Sequence, residues 1–314
     1  SLHDALPILI VGLTIVNIFG VNVSKFVNNL ITISKLVPLA LFIAIGIFFI
    51  NGANFTPVFP QDIYVDGSFA QAAVLLFFAY TGFEVIAIAA EDMKNPKKNL
   101  PRAIIMCMLL VSVLYMAILA VSIGVLGTDL ANTKAPVQDA FNVIVGPIGM
   151  YIVLVGTLIS MGGINFAEAY YAPRVATSMA EDGMLPSALA KRNRYNAPYV
   201  AAIVTAIASV LLAWSGSFTT LAAISAVSRF TQYLPTCLAV IIFRRKWADK
   251  ARSYTIPGGY LIPVIAIGTS LWMLAQAQTN QLLWGLGGCI IILPFYYSYW
   301  KKKKAGLIKD HDEM

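Results

Sequence analysis

The sequence predicts an all-α integral membrane protein. Hydrophobic residues make up 59% of the 314-residue chain and charged residues only 12%, with a mean hydropathy of +0.76. Apolar runs of membrane length recur from end to end with short polar loops between them. The basic residues gather in alternate loops rather than on one face or in one segment.

The runs place about nine helices, each bounded by a polar break. The first two, 6–20 and 26–50, precede a loop around Asp62. The third, 68–91, is followed by Lys94, Lys97, Lys98 and Arg102, and the fourth, 101–127, by a loop around Asp129. Helix 147–176 gives way to Arg174, Lys191, Arg192 and Arg194. Helices 199–214 and 218–243 flank Ser215. Arg244, Arg245, Lys246, Lys250 and Arg252 lead to 261–278, which a loop at Gln278 separates from 281–300. At about 1.5 Å per residue, the second, third and fourth helices are long enough for a hydrocarbon core of about 30 Å, whereas the first is marginal.

The net charge of +7 follows this alternation. The intervening loops carry only Lys134, so the positive-inside rule puts the basic loops and the C-terminus in the cytoplasm. Lys301 to Lys304 then hold the last helix against an anionic leaflet, at about 1 kcal/mol each. A nucleic-acid patch would not alternate with membrane spans. Counting back through an odd number of spans is expected to leave Ser1 outside, and the first residues do not resemble a secretory signal. Residues 1–5 are expected to be a non-native or disordered leader, and the chain to lack an odd number of upstream helices.

Nothing in the sequence points to an enzyme. Cys107, Cys237 and Cys289 sit singly in apolar helices and are expected to be small core residues, without metal or redox spacing. His3 and His311 lie at the ends. No phosphate loop, serine-hydrolase elbow, zinc-protease motif or paired carboxylates occur, so neither a cofactor nor a metal is expected.

The most informative segment runs from Leu75 through Phe77-Phe-Ala-Tyr-Thr-Gly-Phe-Glu84 to Ala89-Ala-Glu-Asp-Met-Lys-Asn-Pro-Lys-Lys-Asn-Leu-Pro-Arg102. It puts a glycine and an acid inside a membrane-length run. Backbone that stops being helical at bilayer depth needs partners in protein, water or ligand, and a carboxylate there needs a cation or a proton. Such a helix fits a transporter's binding site better than an anchor.

This segment resembles the sixth helix and following loop of amino acid permeases of the amino acid-polyamine-organocation superfamily. Val27-Asn-Asn-Leu-Ile-Thr-Ile-Ser-Lys-Leu-Val-Pro-Leu39 resembles the family's fifth helix, and Pro173-Arg-Val-Ala-Thr-Ser-Met-Ala-Glu-Asp-Gly-Met-Leu-Pro186 its eighth helix and cytoplasmic loop. The resemblance covers about Leu6 to Trp300 as helices four to twelve of a twelve-helix transporter. It implies the LeuT-like fold of five-plus-five inverted repeats, with the first three helices missing. Residues 6–50 are then the last two helices of the first repeat, 51–67 an external loop, 68–243 the second repeat, 244–300 two C-terminal helices and 301–314 a basic cytoplasmic tail.

In the family the broken first and sixth helices hold the substrate. The resemblance therefore puts Phe78, Ala79, Thr81, Gly82, Phe83 and Glu168 at the substrate. The carbonyls of Phe78 and Thr81 would accept hydrogen bonds from its ammonium, and Phe78 would close over it. Glu84 becomes a candidate for proton handling or a structural acid that satisfies broken backbone. Lys35, roughly 14 Å into its span, resembles the built-in cation that replaces bound sodium in sodium-independent relatives; snorkelling to the surface is the other reading. Glu168 either faces substrate or faces cytoplasmic water. Arg229, near mid-membrane, belongs to an intramembrane charge network whose partner is Glu84, Glu168 or a substrate carboxylate.

Weaker signals have plain structural readings. Asn28 and Asn29 suit interhelical packing, as do Thr157, Ser160, Gly162 and Gly163. Ser225, Ser228 and Thr231 are equally ambiguous, and 177–198 reads as a solvated cytoplasmic face.

The expectation is a multi-pass transporter in the plasma membrane with a cytoplasmic C-terminus. It moves amino acids by alternating access, by proton-coupled symport or exchange and without sodium. Its partners are an amino acid substrate, protons and membrane lipid, and not nucleic acid. The alternatives are an antiporter of polyamines or other organic cations on the same fold, a non-transporting amino acid sensor and a channel, the last disfavoured because the membrane charges form no ring. The identity of the amino acid and the oligomeric state are not encoded legibly.

Overall fold

The computed structural model describes residues 2–19, 25–56, 68–84, 86, 93–215, 218–248, 252 and 254–304, with the side chains of 2–6, 25–30, 288, 289, 291, 292, 302 and 303 excepted. The expectations for Ser1, Asn28, Asn29, Asp62, Cys289, Lys250, the two histidines and the tail from 305 fall outside these residues or side chains. So does all of 87–91 in the third predicted span.

The described residues form ten α-helices: α1 (Leu2–Ile18), α2 (Lys25–Gly46), α3 (Ser68–Ala79), α4 (Pro96–Leu126), α5 (Pro136–Val145), α6 (Pro147–Glu181), α7 (Tyr199–Ser215), α8 (Phe218–Lys246), α9 (Leu261–Gln276) and α10 (Thr279–Lys304). No strand occurs among the described residues. Among the described residues, four stretches are long and apolar enough to cross a bilayer: Ile31–Phe49, Pro96–Asn132, Pro147–Glu181 and Phe218–Lys246.

One connection corrects the sequence reading. The 127–147 connection contains a 3-10 turn, Gly127–Asn132, and the short helix α5. Pro136 opens α5 and Gly146, with φ +76°, closes it, while the Thr133 hydroxyl bonds Asp139 and accepts the Ala135 N–H at 3.0 Å. A helix this short disappears in a window tuned to membrane spans. The third span is interrupted around Gly82, where the sequence reading places its break. Its regular helix stops at Ala79, because Tyr80 N–H turns back to the Phe77 carbonyl (3.1 Å), Thr81 N–H to that of Phe78 (3.0 Å), and Gly82 adopts φ +103°.

Contacts group the chain into two units. The first comprises Ser1–Phe59, Met116–Gly216 and Leu293–Met314. Its core joins Phe42 of α2 to Phe141 of α5, edge to face at 5.7 Å, with Val121, Ala140 and Val153 around them. Glycines bring α2 and α6 close. A Cβ on Gly156 would lie 2.5 Å from the Pro38 ring, and one on Gly163 2.4 Å from Ile31. Asn51 N–H (2.9 Å) and Asn54 Nδ2 (2.8 Å) both donate to the Gly124 carbonyl, fastening the segment after α2 to α4. Asn193 donates to the Ile18 carbonyl at 2.7 Å, and its Oδ1 accepts the N–H groups of Tyr195 and Ala197. That one side chain therefore orders the 182–198 connection and supplies a donor to the C-terminal end of α1.

The second unit comprises Pro60–Tyr115 and Ser217–Ile292. Val74 of α3 packs on Ala223 and Ala226 of α8, with Phe77, Phe78 and Met273 against them. Phe77 stacks on Phe230 at 4.8 Å, and Gly285 of α10 admits Val227, which would lie 2.7 Å from an added Cβ. α3 is thus held to α8 over the turns just before its end.

The cysteine expectation fails at Cys107, which is exposed, while Cys237 is half-buried; both are free thiols. Cys107 sits among Met106, Leu109 and Leu110, on an α4 surface that is apolar but uncovered in this chain.

Candidate functional site

The segment that ends α3 is a knot of hydrogen bonds. Beyond Ala79 the chain turns through Tyr80, Thr81 and Gly82 and brings Glu84 back so that its Oε2 accepts the Gly82 N–H at 2.9 Å. The other oxygen, Oε1, is paired with Arg229 Nη1, and Tyr233 Oη donates to Oε2 at 3.1 Å. The Glu84 side chain retains 15% of its exposure and the Arg229 side chain 36%. A carboxylate this enclosed needs such donors, because its own desolvation in lipid or protein is expensive.

Arg229 and Tyr233 are four residues apart on α8, so both point to one face and approach the carboxylate together. Of the two protein partners left open for Arg229 by the sequence, Glu84 is paired with it and Glu168 is not. Tyr233 was not singled out in the sequence, although its i, i+4 spacing from a membrane arginine is the signal that finds it. Its ring also stacks on Phe83 at 5.8 Å and meets Phe77 edge to face at 5.9 Å. The turn, the acid and α8 are therefore one packed cluster.

The last carbonyls of α3 are each engaged. That of Phe77 accepts Tyr80 N–H. That of Phe78 accepts both the Thr81 N–H and, at 2.7 Å, the Thr81 hydroxyl. That of Ala79 accepts Tyr115 Oη from α4 at 3.0 Å. Phe78 itself is half-buried and its ring meets Phe218 edge to face at 6.1 Å, whereas Ala79 and Gly82 are exposed. Tyr115 was not foreseen, and no spacing in the sequence announces it.

Lys35 and Glu168 belong to the first unit. Ile31, Lys35 and Pro38 lie at i, i+4 and i+7 of α2, and Ile31 and Pro38 are the residues that meet Gly163 and Gly156 of α6. Lys35 therefore occupies the seam between α2 and α6, half-buried, with no hydrogen bond or ion pair to a described residue. Glu168 is exposed on α6 and likewise has no such partner. Nearby, Arg174 folds over the Tyr170 ring, 3.3 Å from its centre, and donates to the Tyr170 carbonyl at 2.8 Å.

Among the weaker candidates, Gly163 is a packing residue whereas Gly162 meets nothing within 4 Å. Ser228 and Thr231 bond carbonyls of their own helix, Ser225 at 2.8 Å and Ser228 at 2.7 Å. Arg192 pairs with Glu181 at 2.9 Å, both substantially exposed, so this pair contributes little. No group of three or more potential metal ligands occurs among the described residues.

A family model described as amino acid permease matches residues 7–295. A branched-chain amino acid permease of Bacillus subtilis is 29% identical over 302 residues, covering 94% of this chain and 63% of the relative. A methylthioribose transporter of the same organism is 30% identical over 268 residues, covering 85% and 58%. Its serine/threonine exchanger is 29% identical over 310 residues, covering 95% and 69%. The chain thus spans roughly six-tenths of the length of the first two.

Proposed function

The chain belongs to the amino acid permease family, whose all-helical, LeuT-like architecture makes it a multi-pass membrane protein, and from that premise we propose that it serves secondary active transport of amino acids by alternating access. The observation that carries this reading is the interrupted α3. A helix ended by Gly82 at φ +103°, with a nearly enclosed carboxylate tied across the turn, is costly in a membrane and is the kind of backbone that membrane transporters place where solute binds.

In this reading Phe78, Ala79, Thr81, Gly82 and Phe83 form the amine side of the site, with Phe78 as the aromatic cover and Glu168 facing the pathway. Lys35 and Glu84 are the coupling groups. An ammonium lodged on the α2–α6 seam takes the place of a bound sodium ion, so transport runs on protons or by exchange and does not require sodium. Arg229 holds the Glu84 end of the network. The protein lies in the plasma membrane with Lys301 to Lys304 on the cytoplasmic side.

The test is uptake of a labelled amino acid mixture into proteoliposomes containing the protein at the full length its source encodes. Three conditions are compared: an inward proton gradient, a sodium gradient, and preloaded amino acid without a gradient. Accumulation on protons alone supports symport, and uptake only after preloading makes it an exchanger. A strict sodium requirement removes the role given to Lys35. Saturable binding without flux favours a sensor, while competition by a polyamine or by methylthioribose, and not by amino acids, changes the substrate class.

A further inference from the structure

The three carbonyls that end α3 differ in what holds them. Those of Phe77 and Phe78 are occupied from within the turn, by Tyr80 N–H and by Thr81 N–H and Oγ. Removing those donors unmakes the turn itself. The Ala79 carbonyl has a different partner, the hydroxyl of Tyr115 on α4, thirty-six positions along the chain. Tyr115 is only half-buried and its ring rests edge to face on Tyr80 at 5.3 Å, while Ala79 is exposed. A tyrosine hydroxyl swings away on two side-chain torsions and leaves every backbone bond of the turn intact.

We propose that the Tyr115 hydroxyl is a placeholder for an ammonium group: the ligand's amine takes the Ala79 carbonyl from Tyr115, and binding thereby releases α3 from α4. The proposal rests on the amino acid reading above and makes Ala79, ahead of Phe78 and Thr81, the first acceptor. Charge decides the exchange. A cationic N–H donor forms a shorter and roughly twice as strong a hydrogen bond to a carbonyl as a neutral hydroxyl does, so an ammonium displaces a phenol and an uncharged solute does not. The freed tyrosine removes a tie between two helices at the moment of occupancy. A ligand that binds better to the untied arrangement shifts the population toward it.

The experiment measures equilibrium binding of radiolabelled L-isoleucine and L-serine, and of their 2-hydroxy acid analogues, to the full-length protein and to Tyr115→Phe. Without the competing hydroxyl, the amino acids bind roughly two- to tenfold more tightly and stay tighter binders than the hydroxy acids. Amino acid binding that is unchanged or weaker in Tyr115→Phe overturns the proposal, whatever the variant's thermal stability. A fluorine label on Tyr115, followed by fluorine NMR in otherwise unaltered protein, gives an independent reading if the variant does not fold. The resonance shifts on adding amino acid and stays in place with the hydroxy acid; an immobile resonance under saturating amino acid overturns it. If the unaltered protein binds no amino acid at all, the functional reading falls and the placeholder falls with it, whereas binding with a null effect at Tyr115 removes the placeholder alone.

Discussion

Arg229 on α8 is paired with Glu84, 145 positions earlier in the chain, across the turn that ends α3. The pair spans the place where backbone regularity is lost. It brings the charge of the acid and that of the base to one point, so neither is left alone in an apolar surround.

Breaking it from either side leaves one group without its counter-charge. Arg229→Met and Glu84→Gln are each expected to lose about 1–3 kcal/mol of stability, read as a lower melting point in detergent. Arg229→Met is the more damaging, because Glu84 is the more enclosed partner. The double variant loses less than the sum, with a coupling of about 0.5–3 kcal/mol. Additive losses would mean that the two groups stand side by side without depending on each other.

The α2–α6 crossing supplies a prediction with its own control. Gly156→Ala drives a methyl to 2.5 Å from the rigid Pro38 ring, and Gly163→Ala drives one to 2.4 Å from the Ile31 branch methyl. Each is expected to lose about 1–3 kcal/mol, as overpacked sites do. Gly162→Ala adds the same methyl where nothing lies within 4 Å and gains up to about 1 kcal/mol from helix propensity. Thermal melts of the three variants separate close packing from a general intolerance of substitution in α6.

Asn193 makes three hydrogen bonds and holds a connection of otherwise irregular backbone to the end of α1. Asn193→Ala is expected to expose Lys191, Arg192 and Arg194 to trypsin, with cleavage faster by roughly fivefold or more, as the loss of about 1–2 kcal/mol of local anchoring implies. Global melting should move little. Equal cleavage rates in both proteins would show that the connection is held by something other than this side chain.

The sequence carried the class and the interruption of α3 more clearly than the contacts. Apolar run length and the alternation of Lys and Arg identify membrane helices because both are set by the bilayer and need no knowledge of packing. Gly82 and Glu84 stand out for the same reason, each being expensive in a lipid-facing helix. The pairing of Arg229 was open because three acids of opposite charge, including one on a ligand, satisfy it equally on charge grounds; only the helix crossing selects Glu84. Tyr115 has no signal, since its hydroxyl meets a backbone carbonyl and backbone leaves no residue type to match. Helix α5 escaped because its ten residues fall below the length at which a membrane window responds.

Lys35 sits between Ile31 and Pro38 on the stripe of α2 that packs on α6, and no described residue neutralises it. On the coupling role proposed for Lys35, its ammonium would either give up a proton during the cycle or stay charged and bridge helix carbonyls in place of a bound cation. Lys35→Met removes both options while keeping the length and apolar stem of the side chain, so the helices still pack. The expected result is folded protein, with a melting point near that of the unaltered protein, whose uptake no longer follows the proton gradient. Lys35→Arg keeps the charge but cannot release a proton, so it separates the two options: retained proton dependence excludes proton release from position 35 and assigns the coupling to Glu84, whereas lost dependence with retained exchange identifies Lys35 as the proton carrier. Unchanged gradient dependence in both Lys35→Met and Glu84→Gln removes coupling from both residues.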